Sequence, residues 1–264
     1  MRCSFLVIAR VVFITVFFAV VGLSSHISMG GETGNARDDL DSQLKQVREI
    51  LSKAQSSYAS LKDYTAVIHK EEYKGGKVEK DERTIIKFQK PFKVYLKWLS
   101  GDNEGTQLLY VKGKYDDKMI IRKGGGFLKV FGTMEMDPDG FWLKKFTKHS
   151  IKEVGFVGII DQSNKQLEVA QEKGLVKAAQ CTMSEVDGRP AWKMVLVVAP
   201  EAKEDGYYCQ SSIQYFDAET FLPVKATFWL WEDDMAEVMT FSDIKLNVNL
   251  PEIAFDKDNK EYHF

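Results

Sequence analysis

The side chains able to do chemistry are few, and their spacing suits little of it. The histidines are His26, His69, His149 and His263. No two of them stand at a metal-ligand spacing. The sequence contains no H-E-x-x-H, no G-x-S-x-G and no phosphate-binding loop. Gly124-Gly125-Gly126 is followed by Phe127-Leu128-Lys129-Val130-Phe131, not by a capped helix start bearing Lys and Ser or Thr, so it is no phosphate cradle. Glu71-Glu72 and Asp233-Asp234 are adjacent acids. Strand neighbours point to opposite faces, so such pairs make poor two-carboxylate sites. His69, among Lys70, Glu71 and Glu72, reads as solvated, and His149 as a local structural residue. No catalytic residue, metal or cofactor is expected, and the chain is read as a non-enzyme.

The cysteines are Cys3, Cys181 and Cys209. Cys3 belongs to an N-terminal segment in which Arg2 and Arg10 precede the unbroken apolar run 11–23, of signal-peptide length and short for a membrane span. Residues 1–30 are therefore expected to be a signal peptide, with an uncleaved anchor as the alternative, and the body to be exported to the periplasm. In that oxidising compartment Cys181 and Cys209 form an even pair and a candidate disulfide. The expected register opposes it: they fall on strands two apart, roughly 9–10 Å, where a bridge needs Cα atoms within about 7 Å. Both readings stay open from sequence.

The elements that position these residues follow from periodicity. The chain has 264 residues, 44% hydrophobic and 28% charged, with a formal net charge of -2. That allows one domain with a large core and argues against a nucleic-acid partner. Residues 31–37 are expected to be a linker and 38–264 a single domain. Leu40, Leu44, Val47, Ile50, Leu51, Ala54, Tyr58 and Leu61 recur at steps of three and four, the stripe of an amphipathic helix. From Tyr64 the period falls to two. Stretches 64–73 and 78–89 flank a Gly75-Gly76 hairpin turn. Phe92, Val94, Leu96 and Trp98 then alternate with Lys93, Tyr95 and Lys97, a strand with one buried face. Further hairpins fall at 106–122 and 176–199. Ser150 to Glu153 matches a capping box, predicting a helix that runs through Ile159 and Ile160 to end at Gly174.

About ten strands in local meanders, with two helices to cover them, give an α+β chain that is mainly antiparallel sheet. Two apolar features exceed what a plain core requires. Stretch 124–143 carries Phe127, Leu128, Phe131, Met134, Phe141 and Trp142, greasy for a connection. The strand ending in Trp229 and Trp231 is apolar on both faces, with Phe228 and Leu230 on the second. Such a strand needs cover on both sides, or a ligand on one.

Three further stretches carry a resemblance: Asp217-x-x-Thr220-x-Leu222-Pro223-Val224, then 241–247 (Phe-Ser-Asp-Ile-Lys-Leu-Asn), then Pro251 to Phe255. With the early helix and hairpins, they make the chain resemble the LolA/LolB lipoprotein-localisation superfamily over roughly 40–257, and more closely an uncharacterised envelope family within it. The resemblance implies an unclosed half β-barrel with its concave face lidded by helices. It implies a carrier of acyl, lipid or lipoprotein cargo, or alternatively a sensory or protein-interaction module. Partners would be a hydrophobic or acylated ligand, envelope lipoproteins and membrane-bound donor or acceptor proteins, and the chain is expected to be a monomer. The ligand-binding set on this reading is Phe92, Val94, Leu96, Trp98, Met194, Leu196, Phe228 and Leu230, lidded by the greasy stretch. The carriers' Arg-Pro step is here Lys90-Pro91. Lys90 would be the lid latch, keeping the charge but losing the planar fork.

Overall fold

The computed structural model describes residues 32–125, 132–140, 150–232 and 234–264. Among them, helix α1 spans Glu32–Ser60 and helix α2 spans Phe156–Glu172. The first six strands are β1 (Asp63–Lys74), β2 (Lys77–Gln89), β3 (Lys93–Trp98), β4 (Gln107–Val111), β5 (Met119–Arg122) and β6 (Thr133–Met136). After α2 come β7 (Val176–Val186), β8 (Arg189–Val198), β9 (Cys209–Asp217), β10 (Pro223–Leu230) and β11 (Met235–Leu246). They form one antiparallel sheet in the order β6-β5-β4-β3-β2-β1-β11-β10-β9-β8-β7. Two meanders are thus joined where the first strand meets the last. The sheet stays open, with β6 and β7 as its edges. The chain crosses from one edge to the other through α2, which lays that helix over the concave face.

Local chemistry explains the turns. Gly75 and Gly76 both have positive φ (56° and 72°), as a two-residue hairpin turn requires. The buried carboxylate of Asp217 accepts from the Glu219 and Thr220 backbone N–H groups (3.1 and 2.8 Å) and from the Thr220 hydroxyl (3.0 Å). This Asx turn drives the β9–β10 hairpin. Asp63 ties down the far end of β11: its carboxylate accepts from Val248 N (2.7 Å) and Leu250 N (3.1 Å).

The main core lies between the sheet and the helices. From α1 it takes Leu44, Val47, Ile50, Leu51 and Ala54, and from α2 Phe156, Ile159, Ile160 and Leu167. A row of rings marks its centre. Tyr64 of β1 stacks on Phe156 at the start of α2 (centroids 4.4 Å) and on Phe88 of β2 (5.3 Å), while Phe156 also meets Phe241 of β11 (4.9 Å). A second, smaller core lies on the convex face. There Tyr95, Leu109, Val111 and Ile120 are covered by Ala254, Phe255 and Tyr262 of the C-terminal segment.

The open sheet of eleven strands among the described residues agrees with the expected ten or so. Several other expectations are corrected. Met134 sits on strand β6, opposite Ile121, and not in a lid loop. Strand β3 is buried on both faces, because the C-terminal segment covers Tyr95. Helix α1 begins at Glu32, inside the expected linker: the single Gly34 costs about 1 kcal/mol, too little to stop a helix. The Ser150–Glu153 capping box is real but caps a single 3-10 turn, Ile151–Glu153. The α-helix restarts at Phe156, because Gly155 takes φ 80°. A Cβ on Gly155 would lie 2.2 Å from the Tyr64 hydroxyl oxygen. Gly155→Ala therefore combines left-handed backbone strain with overpacking, and should lower unfolding free energy by about 3 kcal/mol in urea titration.

Candidate ligand site

Helix α1 is held to the sheet and to α2 by polar tethers. At its C-terminal end the Lys90 ammonium donates to the last-turn carbonyls of Tyr58 (2.7 Å) and Ala59 (2.6 Å), and lies 4.9 Å from the centroid of the Tyr58 ring. A cation at this end also complements the helix dipole. Burial holds the Lys90 pKa below the ordinary lysine value. Midway, Arg48 donates through Nε and Nη2 to Gln171 Oε1 of α2 (2.8 and 2.5 Å). Gln43 accepts from the Cys181 backbone N–H (2.9 Å), which also occupies a donor of edge strand β7. Lys53 sits 5.1 Å from the Phe221 ring centroid at the β9–β10 turn.

Beneath the helices is a cavity of about 20 Å³, room for about one water. Its lining includes Val47 and Leu51 of α1, Ser163, Gln166 and Leu167 of α2, Met194 and Leu196 of β8, and Ser212 and Gln214 of β9. Around it the described residues of the sheet and helices pack into the main core.

All eight residues expected to bind ligand lie in or against the main core, on the helix side of the sheet. Val94, Leu96, Met194, Phe228 and Leu230 are buried; Phe92, Trp98 and Leu196 are partly so. They do not gather in one place. Strand β3 is separated from β10 by β2, β1 and β11, so only Met194 and Leu196 reach the cavity. The expected lid residues Phe127, Leu128, Phe131, Phe141 and Trp142 lie outside the described residues, as does His149. Lys90, expected as the lid latch, meets α1. The candidate pair Cys181 and Cys209, left open from sequence, is unbridged: both are buried free thiols. Strand β8 runs between them and pairs Cys181 with Met194, which faces Gln214, five residues from Cys209 along β9.

One polar group escaped the sequence reading. At the far end of the concave face, Lys70 Nζ bridges Glu72 (3.0 Å) and Glu237 (3.5 Å), Lys80 meets Glu72 (3.3 Å), and the Tyr208 hydroxyl donates to Glu237 Oε2 (2.5 Å). Glu237 is only 4% exposed. The four strand residues are charged; β1–β11 pairing sets Glu72 opposite Glu237, and β1–β2 pairing sets Lys80 opposite Glu72. Cys209 packs nearby, and burial followed by the Glu237 charge pushes its thiol up to about 12, so it stays protonated and unreactive at neutral pH. Burial raises the Glu72 carboxyl, but hydrogen bonding and charge from Lys70, then charge from Lys80, outweigh it and hold the net pKa below 4.5. On the opposite face His69 is hydrogen-bonded to Asp81 (2.8 Å) and lies near Glu71, a strand i, i+2 pair with a cross-strand neighbour.

A family model described as a protein of unknown function (DUF1571) matches residues 61–264. The chain belongs to this DUF1571 family. Helix α1 precedes the matched region. A comparison with curated proteins found no match. Solved structures similar to this DUF1571 chain include LolA-superfamily proteins, as the sequence resemblance implied. A LolA superfamily protein from Nitrosomonas europaea is 12% identical, covers 80% of this chain and 97% of its own, and has a TM-score of 0.36. Lipoprotein LppX from Mycobacterium tuberculosis is 14% identical, with coverage of 82% and 99% and a TM-score of 0.45. MucB, in the MucA/MucB complex of Pseudomonas aeruginosa, is 12% identical, with coverage of 79% and 59% and a TM-score of 0.45. No residue role is transferred from them.

Two measurements check the electrostatics. Lys90→Met should cost about 1–2 kcal/mol and speed amide exchange in the last turns of α1, read by hydrogen–deuterium exchange. For Glu72, a depressed folded pKa means stability present above about pH 4.5 and lost as pH falls through the folded value. Wild type should therefore lose more stability than Glu72→Gln between about pH 5 and about pH 3 in urea midpoints.

Proposed function

We propose that this protein is an exported carrier that holds an acyl or lipid ligand between the concave face of the sheet and helices α1 and α2. The observation that carries this reading is the nature of the cover. The concave face carries buried apolar side chains from Val94 and Leu96 to Phe228 and Leu230, with the Lys70, Glu72 and Glu237 group at its far end. Along α1, the cover is fastened by the side chains of Lys90, Arg48 and Gln43 and not by sheet pairing. Such a cover can separate from the sheet without breaking a strand ladder. Burying one CH₂ is worth about 0.8 kcal/mol, so a sixteen-carbon chain gains roughly 10 kcal/mol, which offsets part of the cost of lifting the helices and breaking their tethers. Entry requires that displacement, since the closed cup holds a cavity of only about 20 Å³.

That small cavity also favours a second reading, a module of the same fold that acts through protein contacts. One experiment separates the two. Native mass spectrometry of the protein purified from the envelope, with lipid extraction, should reveal a bound acylated species on the carrier reading. In a folded Trp98→Glu variant that species should fall by about tenfold, the equivalent of 1.4 kcal/mol. A clean ligand-free mass, with no uptake of offered lipopeptide or lipid, would decide for the protein-contact module.

A further inference from the structure

The cavity under the helices is small, but its lining is unusual for an acyl cup. Ser163, Gln166, Ser212 and Gln214 place four polar side chains among Val47, Leu51, Leu167, Met194 and Leu196. Three of the four are in hydrogen-bonding contact with one another. Ser163 Oγ lies 2.7 Å from Gln214 Oε1 and 2.7 Å from the Ile159 carbonyl, and Gln214 Nε2 donates to Ser212 Oγ (3.3 Å). The fourth is not: Gln166 Nε2 is a buried donor with no partner among the described residues. A buried donor left unmatched costs free energy that a leucine at the same place would not. The site is also a seam, where α1, α2 and strands β8 and β9 meet, and it would widen if the helices lifted.

We propose that this seam is a subsite for the carbonyl of an acyl ester or amide, with the Gln166 side-chain amide as donor and the Val47, Leu51, Leu167, Met194 and Leu196 walls taking the adjoining methylenes. This rests on the carrier reading and adds the ligand's chemical class to it. A donor calls for an acceptor, which selects acyl esters and amides over plain hydrocarbons. Burying the charged carboxylate of a free fatty acid here would lack a cation to pair it, since the cavity lining holds no basic residue.

The test compares methyl palmitate with a straight-chain hydrocarbon of equal heavy-atom number. Both are delivered from cyclodextrin and titrated against a bound naphthylamine dye, on wild type and on Gln166→Leu. Wild type should bind the ester about tenfold more tightly than the hydrocarbon, as one hydrogen bond to an otherwise unmatched donor allows. Gln166→Leu should lose that preference while still binding the hydrocarbon, and its ligand-free form should melt at a higher temperature than wild type. Equal binding of both compounds by wild type, or an ester preference retained in Gln166→Leu, would overturn the subsite and leave the carrier reading standing. Binding of neither compound by wild type would remove the carrier reading and the subsite with it.

Discussion

The structure depends on the contact between Tyr64 and Phe156. Tyr64 lies on β1, where the two meanders join, and Phe156 opens the helix that crosses from one sheet edge to the other. Their stacked rings fix where that crossing begins. The Phe156 backbone N–H also donates to the Tyr64 hydroxyl (3.4 Å), so the helix start is held by a polar contact as well as an apolar one. The contact is close enough that the residue before Phe156 can have no side chain. From there Phe88 and Phe241 extend the ring row to β2 and β11, and Tyr58 brings in the end of α1, 6.1 Å from Phe88. Sheet seam, crossover helix and lid helix therefore share one packing centre.

The two faces of the sheet are covered in different ways. On the convex side, the C-terminal segment packs over Tyr95, Leu109, Val111 and Ile120, with Tyr262 stacked on Tyr95 at 3.9 Å. This segment directly continues β11 through the Asp63 clamp, so it cannot leave without disturbing the seam. On the concave side, α1 follows its own course and touches the sheet through side chains. A loss of contact there breaks tethers one at a time. That asymmetry sets the two faces apart: one cover is continuous with the sheet and the other is docked on it. The strip of Ser163, Gln214 and Ser212 makes this face polar at one place.

Much of this was legible in the sequence where periodicity was strong. The alternation of Phe92, Val94, Leu96 and Trp98 placed a strand and the core side of it, and the 3–4 stripe from Leu40 to Leu61 placed α1. Asp217 and Thr220 announced their turn. Other features depend on partners far away in the chain. Tyr95 looked solvent-facing because the segment that buries it begins some 150 residues later. Strand β6 is only four residues, Thr133 to Met136, and takes its identity from pairing with β5. Ser150 and Glu153 obeyed the capping rule, but Gly155 ended that turn, because Tyr64 occupies the space a side chain would need. Lys70, Glu72 and Glu237 carry no signal that singles them out in sequence; the register of β1 against β11 makes them one group. Gln166 could not be singled out, since a glutamine beside an apolar stripe reads as the polar flank of a helix.

The pairing of β1 with β11 also bears on how the chain reaches this state. Asp63 bonds Val248 across 185 positions of sequence, so the central ladder of the sheet is its least local one. Loop closure over that distance must precede the gain from pairing, which makes assembly slow for a chain of this size. Until β11 arrives, β1 presents an unpaired edge and the crossover helix lacks the Phe241 side of its socket. A chain built this way completes its sheet only once β11 has been made, and for that interval remains a substrate for whatever shields exposed strand edges.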